Sequence, residues 1–144
     1  MFGKLKEKLS GGASKISGKT DLLEGIAAMA ALVSAADGEI EDSEVGAILD
    51  ALSNHATLSA AFKAPEIEAA LNKQLARAKG GMAGKLALKR EIAEMKDKNT
   101  HDELEMAFVI AIDVSLSDGE MEPAEKKVLD DLGKSLGFSL ASYL

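Results

Sequence analysis

A chain of 144 residues with 47% apolar side chains can close one packed domain, which excludes disorder and removes any need for disulfides or an obligate metal to fold. Aromatic residues are only 3% and Trp is absent, so Ala, Leu, Ile, Val and Met must fill the core, and close-packed helices are favoured over a β-sandwich. Cysteine is absent, which excludes thiol nucleophiles, Cys-ligated zinc and iron–sulfur clusters, and the net charge of −7 argues against nucleic acid as the general partner.

From the N-terminus, Met1–Leu9 sets Met1, Phe2, Leu5 and Leu9 on one helical face, with Lys4, Lys6 and Lys8 around it. Two readings compete: weak contact with an anionic lipid surface, and an amphipathic tail packed on the domain. Gly11-Gly12 then reads as a hinge, dividing a segment 1–12 from a single domain over 13–144. No signal-peptide apolar stretch follows the lysines. The longest apolar run, Ile26 to Val33, has eight residues, against the roughly 20 of a spanning helix. The expected location is the cytoplasm.

The first long helix is expected over 21–36, where Asp21 and Glu24 have capping-box spacing, and it ends at the turn dipeptide Asp37-Gly38. The next starts with Glu41 as N-cap and Glu44 as the third helical residue. A short turn over 57–62 precedes helices over 65–79 and 82–97, with Pro65 starting the first and Gly80-Gly81 breaking them apart. Thr100 and Glu103 form a capping box for a helix over 101–117, whose Leu104, Phe108, Ile112 and Leu116 make an apolar stripe. It ends at Asp118-Gly119. Pro123 then marks the first residue of the last long helix, with Glu122 as N-cap and Glu125 three positions on. A short turn covers 138–144. No segment alternates with period two, so the fold class is all-α, with about seven helices.

Charge is distributed in blocks. Residues 21–62 hold eight acids and no base, and 99–144 hold ten acids against three bases, whereas 1–20 and 63–98 are each net +4. The two acidic blocks are related. A shift of 81 places Ala30, Val33, Ser34, Asp37, Gly38, Glu39, Glu41, Glu44 and Asp50 on Ala111, Val114, Ser115, Asp118, Gly119, Glu120, Glu122, Glu125 and Asp131, nine identities in 25 ungapped positions. Ile40 with Met121, Met29 with Ile110, and Ile48 with Leu129 add apolar matches. The chain therefore reads as two copies of a helix–loop–helix unit, about 21–53 and 101–136, separated by a helical insertion.

The repeated loop, Asp-Gly-Glu followed by an apolar residue, Glu and then a last Glu, fits the second half of a calcium loop. Asp37 takes its fifth position, Gly38 its sixth, Ile40 its eighth, Glu41 its ninth and Glu44 its twelfth. The first half does not fit, because positions one and three fall on Val33 and Ala35, or on Val114 and Leu116, which carry no side-chain oxygen. Neither loop alone supplies six to eight oxygens, so neither is an EF-hand. Brought together, Asp37, Glu44, Asp118 and Glu125 offer eight carboxylate oxygens, with Glu39, Glu41, Glu120 and Glu122 close by. Such a cluster repels itself, and a divalent cation relieves the repulsion. Oxygen ligands without sulfur or His favour calcium, magnesium or manganese over zinc or copper. The competing reading is that these acids only cap helices and complement the helix dipole.

The repeated "SAADGEIEDSE" and "SLSDGEMEPAEKKVLDDLGKSLGFS", the long insertion and the Phe- and Lys-bearing N-terminal segment resemble the TerB family of tellurite-resistance proteins, over about 1–140. The resemblance implies an all-helical domain of two pseudo-symmetric halves. It also implies an acidic cluster binding a divalent metal through Asp37, Glu44, Asp118 and Glu125, and a place in stress operons near a TerC-like membrane partner. The location it suggests is cytoplasmic, peripheral at the inner membrane face.

The remaining features point away from catalysis. His55 and His101 read as isolated, and no Ser-His-Asp set, phosphate loop or dinucleotide fingerprint is present. Lys and Arg over 73–90 read as partners for the acidic halves or as a solvated face that can meet a phosphate or an acidic partner. Without thiols, and with net charge −7, the chain is unsuited to reducing or holding the tellurite anion, so resistance through it is indirect. The expectation is a non-enzymatic cation-binding protein that docks a protein partner. Its rival is an interaction module, such as a phage-encoded assembly protein, whose acids only cap helices.

Overall fold

In a computed structural model that describes residues 12–36, 38, 40–117 and 121–144, eight α-helices follow one another and no strand occurs among the described residues. They are α1 (Gly12–Ile16), α2 (Thr20–Ser34), α3 (Asp42–Ser53), α4 (Ala56–Ala61), α5 (Ala64–Ala78), α6 (Gly81–Glu94), α7 (His101–Ser115) and α8 (Pro123–Leu136), with 3₁₀ turns at Met95–Asp97 and Leu140–Tyr143. None is long and apolar enough to cross a membrane.

Burial follows from composition. Helix α2 has no charged residue after Glu24, and eleven of its fifteen residues are buried, as expected of a helix apolar on all sides. It forms the centre, packed by α5, α6, α7 and α8. Helix α7 is the second axis, with nine of fifteen residues buried, including the expected stripe residues Leu104, Phe108 and Ile112; Leu116 lies just past its end, partly buried. Helix α3 leans on α4, α5 and α7, and α8 on α2, α6 and α7. Each long helix of one unit thus touches the other unit.

Several sequence expectations change. Helix α2 runs two residues short of 36, and no Asp21–Glu24 capping box forms: Lys19 sits at the N-cap without a side-chain cap. Asp21 instead accepts from Asn99 Nδ2 at 2.8 Å, and Glu24 from Lys73 Nζ at 2.9 Å. Long-range partners have outcompeted the local cap. Gly12 is the first residue of a helix the sequence reading missed. It is buried, and α1 packs on α4 and α7, with the Met106 thioether so close that a β-carbon would have to displace it. The hairpin between α5 and α6 turns at Gly81, whose φ of +77° suits glycine. Gly84 then lies against the Arg77 carbonyl, where a β-carbon would clash with backbone. The expected helix over 82–97 starts one residue early, at Gly81, and tightens to 3₁₀ at Met95–Asp97. Met1–Leu9 lies outside the described residues.

Midway along α7, Phe108 stacks on Phe138 with ring centres 5.8 Å apart, and Tyr143 meets Phe108 edge-on at 5.8 Å. The Tyr143 hydroxyl donates to Glu105 Oε2 at 2.5 Å. Burial first, and this carboxylate second, push its proton affinity well above the ordinary phenol value. Above about pH 10 an unfolded chain ionises this phenol while the folded chain holds its proton. Stability is therefore lost as pH rises from that point through the folded value. Tyr143 is the chain's one tyrosine, so absorbance at the tyrosinate band reads it directly. The expected titration midpoint lies above the ordinary one; an unshifted midpoint would refute the burial.

Candidate metal cleft between the two units

The first turns of α3 and α8 present Glu44 and Glu125 to one cleft of about 130 Å³, lined also by Val33, Ser34, Ile48, Val114, Ser115 and Ser117. Pairs that match at the 81-residue shift, Ser34 with Ser115, Val33 with Val114 and Glu44 with Glu125, thus face the same space. The local sequence explains the placement. Glu44 Oε1 accepts from the Glu41 N–H at 3.2 Å, and Glu125 Oε1 from the Glu122 N–H at 2.9 Å, fixing each side chain over its helix start. Pro123 sits in the first turn of α8.

The hydroxyls lining the cleft all point their protons away from it. Ser34 Oγ donates to the Ala30 carbonyl at 2.8 Å, Ser115 Oγ to Ala111 at 2.8 Å and Ser117 Oγ to Val114 at 2.7 Å. A hydroxyl that donates backward into its own helix leaves its lone pairs outward. The polar side-chain atoms lining the cleft are therefore oxygen acceptors, a donor set that fits a hard divalent cation. Of the expected ligands, Glu44 and Glu125 are brought together; Asp37 and Asp118 lie outside the described residues, as do Glu39 and Glu120. Glu41 and Glu122 are exposed at the helix starts.

His55 is not isolated. It is buried, its Nδ1 accepts from the Leu58 N–H at 3.4 Å, and its Nε2 lies 2.6 Å from Asp113 Oδ2, so the Nε2 proton is donated to that carboxylate. The pair joins the start of α4 to α7 and lines a second cleft that shares Ala51, Val114 and Ser117 with the first. Sequence reasoning missed it because 58 residues separate the partners. His101 is exposed but also has company: Phe138 lies 5.1 Å from its ring, and its ligand atoms and those of Asp102 and Glu105 lie within 4.8 Å of one another. This is the one such group among the described residues. It stands at a helix N-terminus, whose dipole disfavours a cation, and Tyr143 already engages Glu105.

At the other side of α2, the Lys19 ammonium meets Glu103 at 2.7 Å. That hydrogen bond first, and the Thr100 N–H second, hold the Glu103 carboxyl below the usual range. The Thr100–Glu103 capping box is formed as read from sequence.

Set against protein-family models, residues 23–143 match the family described as tellurite resistance protein TerB. The chain belongs to the TerB family. That match spans nearly all of both helix–loop–helix units and the insertion, in keeping with the all-α architecture of TerB domains. No curated protein and no solved structure matches the chain.

Proposed function

We propose that this TerB-family protein is non-enzymatic and binds a divalent cation between its two units, calcium ahead of magnesium or manganese. Glu44 and Glu125 supply carboxylates from the helix starts, and Asp37 and Asp118 supply them from the loops. The acceptor-only lining of the cleft supports this reading above all else. The cation-loaded surface docks a protein partner, in a stress complex associated with the cytoplasmic face of the membrane, so that tellurite resistance is conferred indirectly. A second reading has its own support: because Oε1 of Glu44 and of Glu125 already accepts an N-cap N–H, both acids can serve as caps alone, in a purely structural interaction module.

Calorimetric titration of chelator-treated protein with calcium, magnesium and manganese separates the two. The expected result is micromolar binding with a raised melting temperature, worth about 2.7 kcal/mol when free metal is a hundredfold above Kd. The double variant Glu44→Gln, Glu125→Gln keeps an amide oxygen for each cap but removes two charges. It should fold normally and lose binding. Heat and affinity equal to the parent's would leave these residues as caps.

A further inference from the structure

We infer that the outward face of α6 is a docking surface for an anionic phospholipid bilayer. Among the described residues the two exposed large apolar side chains are Met82 and Leu86, with 74% and 52% of their surface in solvent. They stand four residues apart, one above the other on a single helix face, and Lys89 continues the same stripe. Lys85 flanks it on one side, and Arg90 flanks it on the other.

The charges on this face are uncommitted. Lys73 and Arg77, on the neighbouring α5, are ion-paired with Glu24 and Glu91. Lys79, Lys85, Lys89 and Arg90 make no ion pair among the described residues. The one acid between residues 79 and 93, Glu91, is held by Arg77 and Gln74. An apolar pair ringed by unpaired cations therefore faces outward from a chain whose net charge is −7. The acids elsewhere are screened beyond roughly 8 Å at physiological salt, so the local sign governs contact.

The shape selects lipid over an acidic protein. Met82 and Leu86 project as knobs, and a protein partner would need a hole cut to receive them. Acyl chains accommodate knobs without a fixed complement, while the lysine and arginine stems lie along the interface and their charges stay at phosphate level. The inference is independent of the cation cleft.

The chain has no tryptophan, so Leu86→Trp in the full-length protein places a single indole at the contact. Mixed with vesicles of phosphatidylcholine and phosphatidylglycerol at low salt, this variant should shift its emission to the blue and co-sediment. It should do neither with phosphatidylcholine alone, and salt should reverse both. In the otherwise unaltered chain, Met82→Ser with Leu86→Ser, or Lys85→Glu with Lys89→Glu, should weaken binding at least tenfold, with helix content unchanged by circular dichroism. Failure to co-sediment overturns the proposal. Co-sedimentation without a blue shift also overturns it, by placing the contact elsewhere, Met1–Leu9 included. Binding to polyglutamate but not to vesicles overturns it in favour of an acidic protein partner.

Discussion

Phe108→Ala is expected to remove about 3–5 kcal/mol of stability, the range for deleting a fully buried ring whose site cannot collapse. Phe108 has no exposed surface, and its ring is held on several sides: stacked on Phe138, met edge-on by Tyr143, and pressed against Gly133 of α8. A β-carbon at Gly133 would come within 2.6 Å of the ring, so α8 has been brought as near to α7 as a glycine permits. The space left by alanine is bounded by helix backbone that cannot move in, and the cavity persists. For a domain of this size the loss lowers the melting temperature by roughly 10–20 °C. Urea denaturation of parent and variant measures it, with the slope unchanged if only the native state is affected. A cost below about 1.5 kcal/mol would mean that α8 slides into the gap, which would also displace Glu125 from the cleft.

That ring was legible in the sequence because its signal is local and periodic. Leu104, Phe108 and Ile112 share a face whatever else the chain does, and Thr100–Glu103 and Glu122-Pro123 fix helix starts by chemistry contained within four residues. The repeat carried more, since identical acids at a constant shift predicted that Glu44 and Glu125 play equal parts. The structure brings them to one cleft. Features that depend on distant partners were not legible. Asp21 had the spacing of a cap but was drawn to Asn99, 78 residues away. Gly12 had the composition of a hinge but was claimed by Met106, because the small residue lets α1 lie directly on α7. The serine lone pairs that make the cleft acceptor-only depend on hydroxyl direction, which no residue pattern encodes. The basic insertion read either as partners for the acidic halves or as a solvated face; the fold divides it between the two, with Lys73 and Arg77 of α5 paired to Glu24 of α2 and Glu91 of α6, and other cations left outward on α6.

The His55–Asp113 pair breaks the repeat, and disrupting it is expected to show strong coupling between the two residues. At the 81-residue shift, Asp113 corresponds to Leu32 and His55 to Leu136, both buried, on the packed helices α2 and α8. Each half of the repeat thus has a buried leucine at the position where the other contributes one member of the polar pair. Asp113→Leu alone strands the buried Nε2–H and should cost about 1–3 kcal/mol. His55→Leu alone removes both the donor to Asp113, whose side chain is 33% exposed, and the acceptor for the Leu58 N–H at the start of α4, at a similar cost. Combining the two replaces the polar pair by the leucines that stand at the repeat-related positions and should recover most of the loss, leaving a coupling of about 1 kcal/mol or more in the double-mutant cycle. Simple additivity would mean that the side chains act on stability separately. Because a leucine pair would hold these elements together as well, the presence of His and Asp where the second cleft opens requires a reason other than packing. The doubly substituted chain supplies the test: near-parental stability with weakened calcium affinity assigns the pair to the cleft, and unaltered affinity assigns it to the fold.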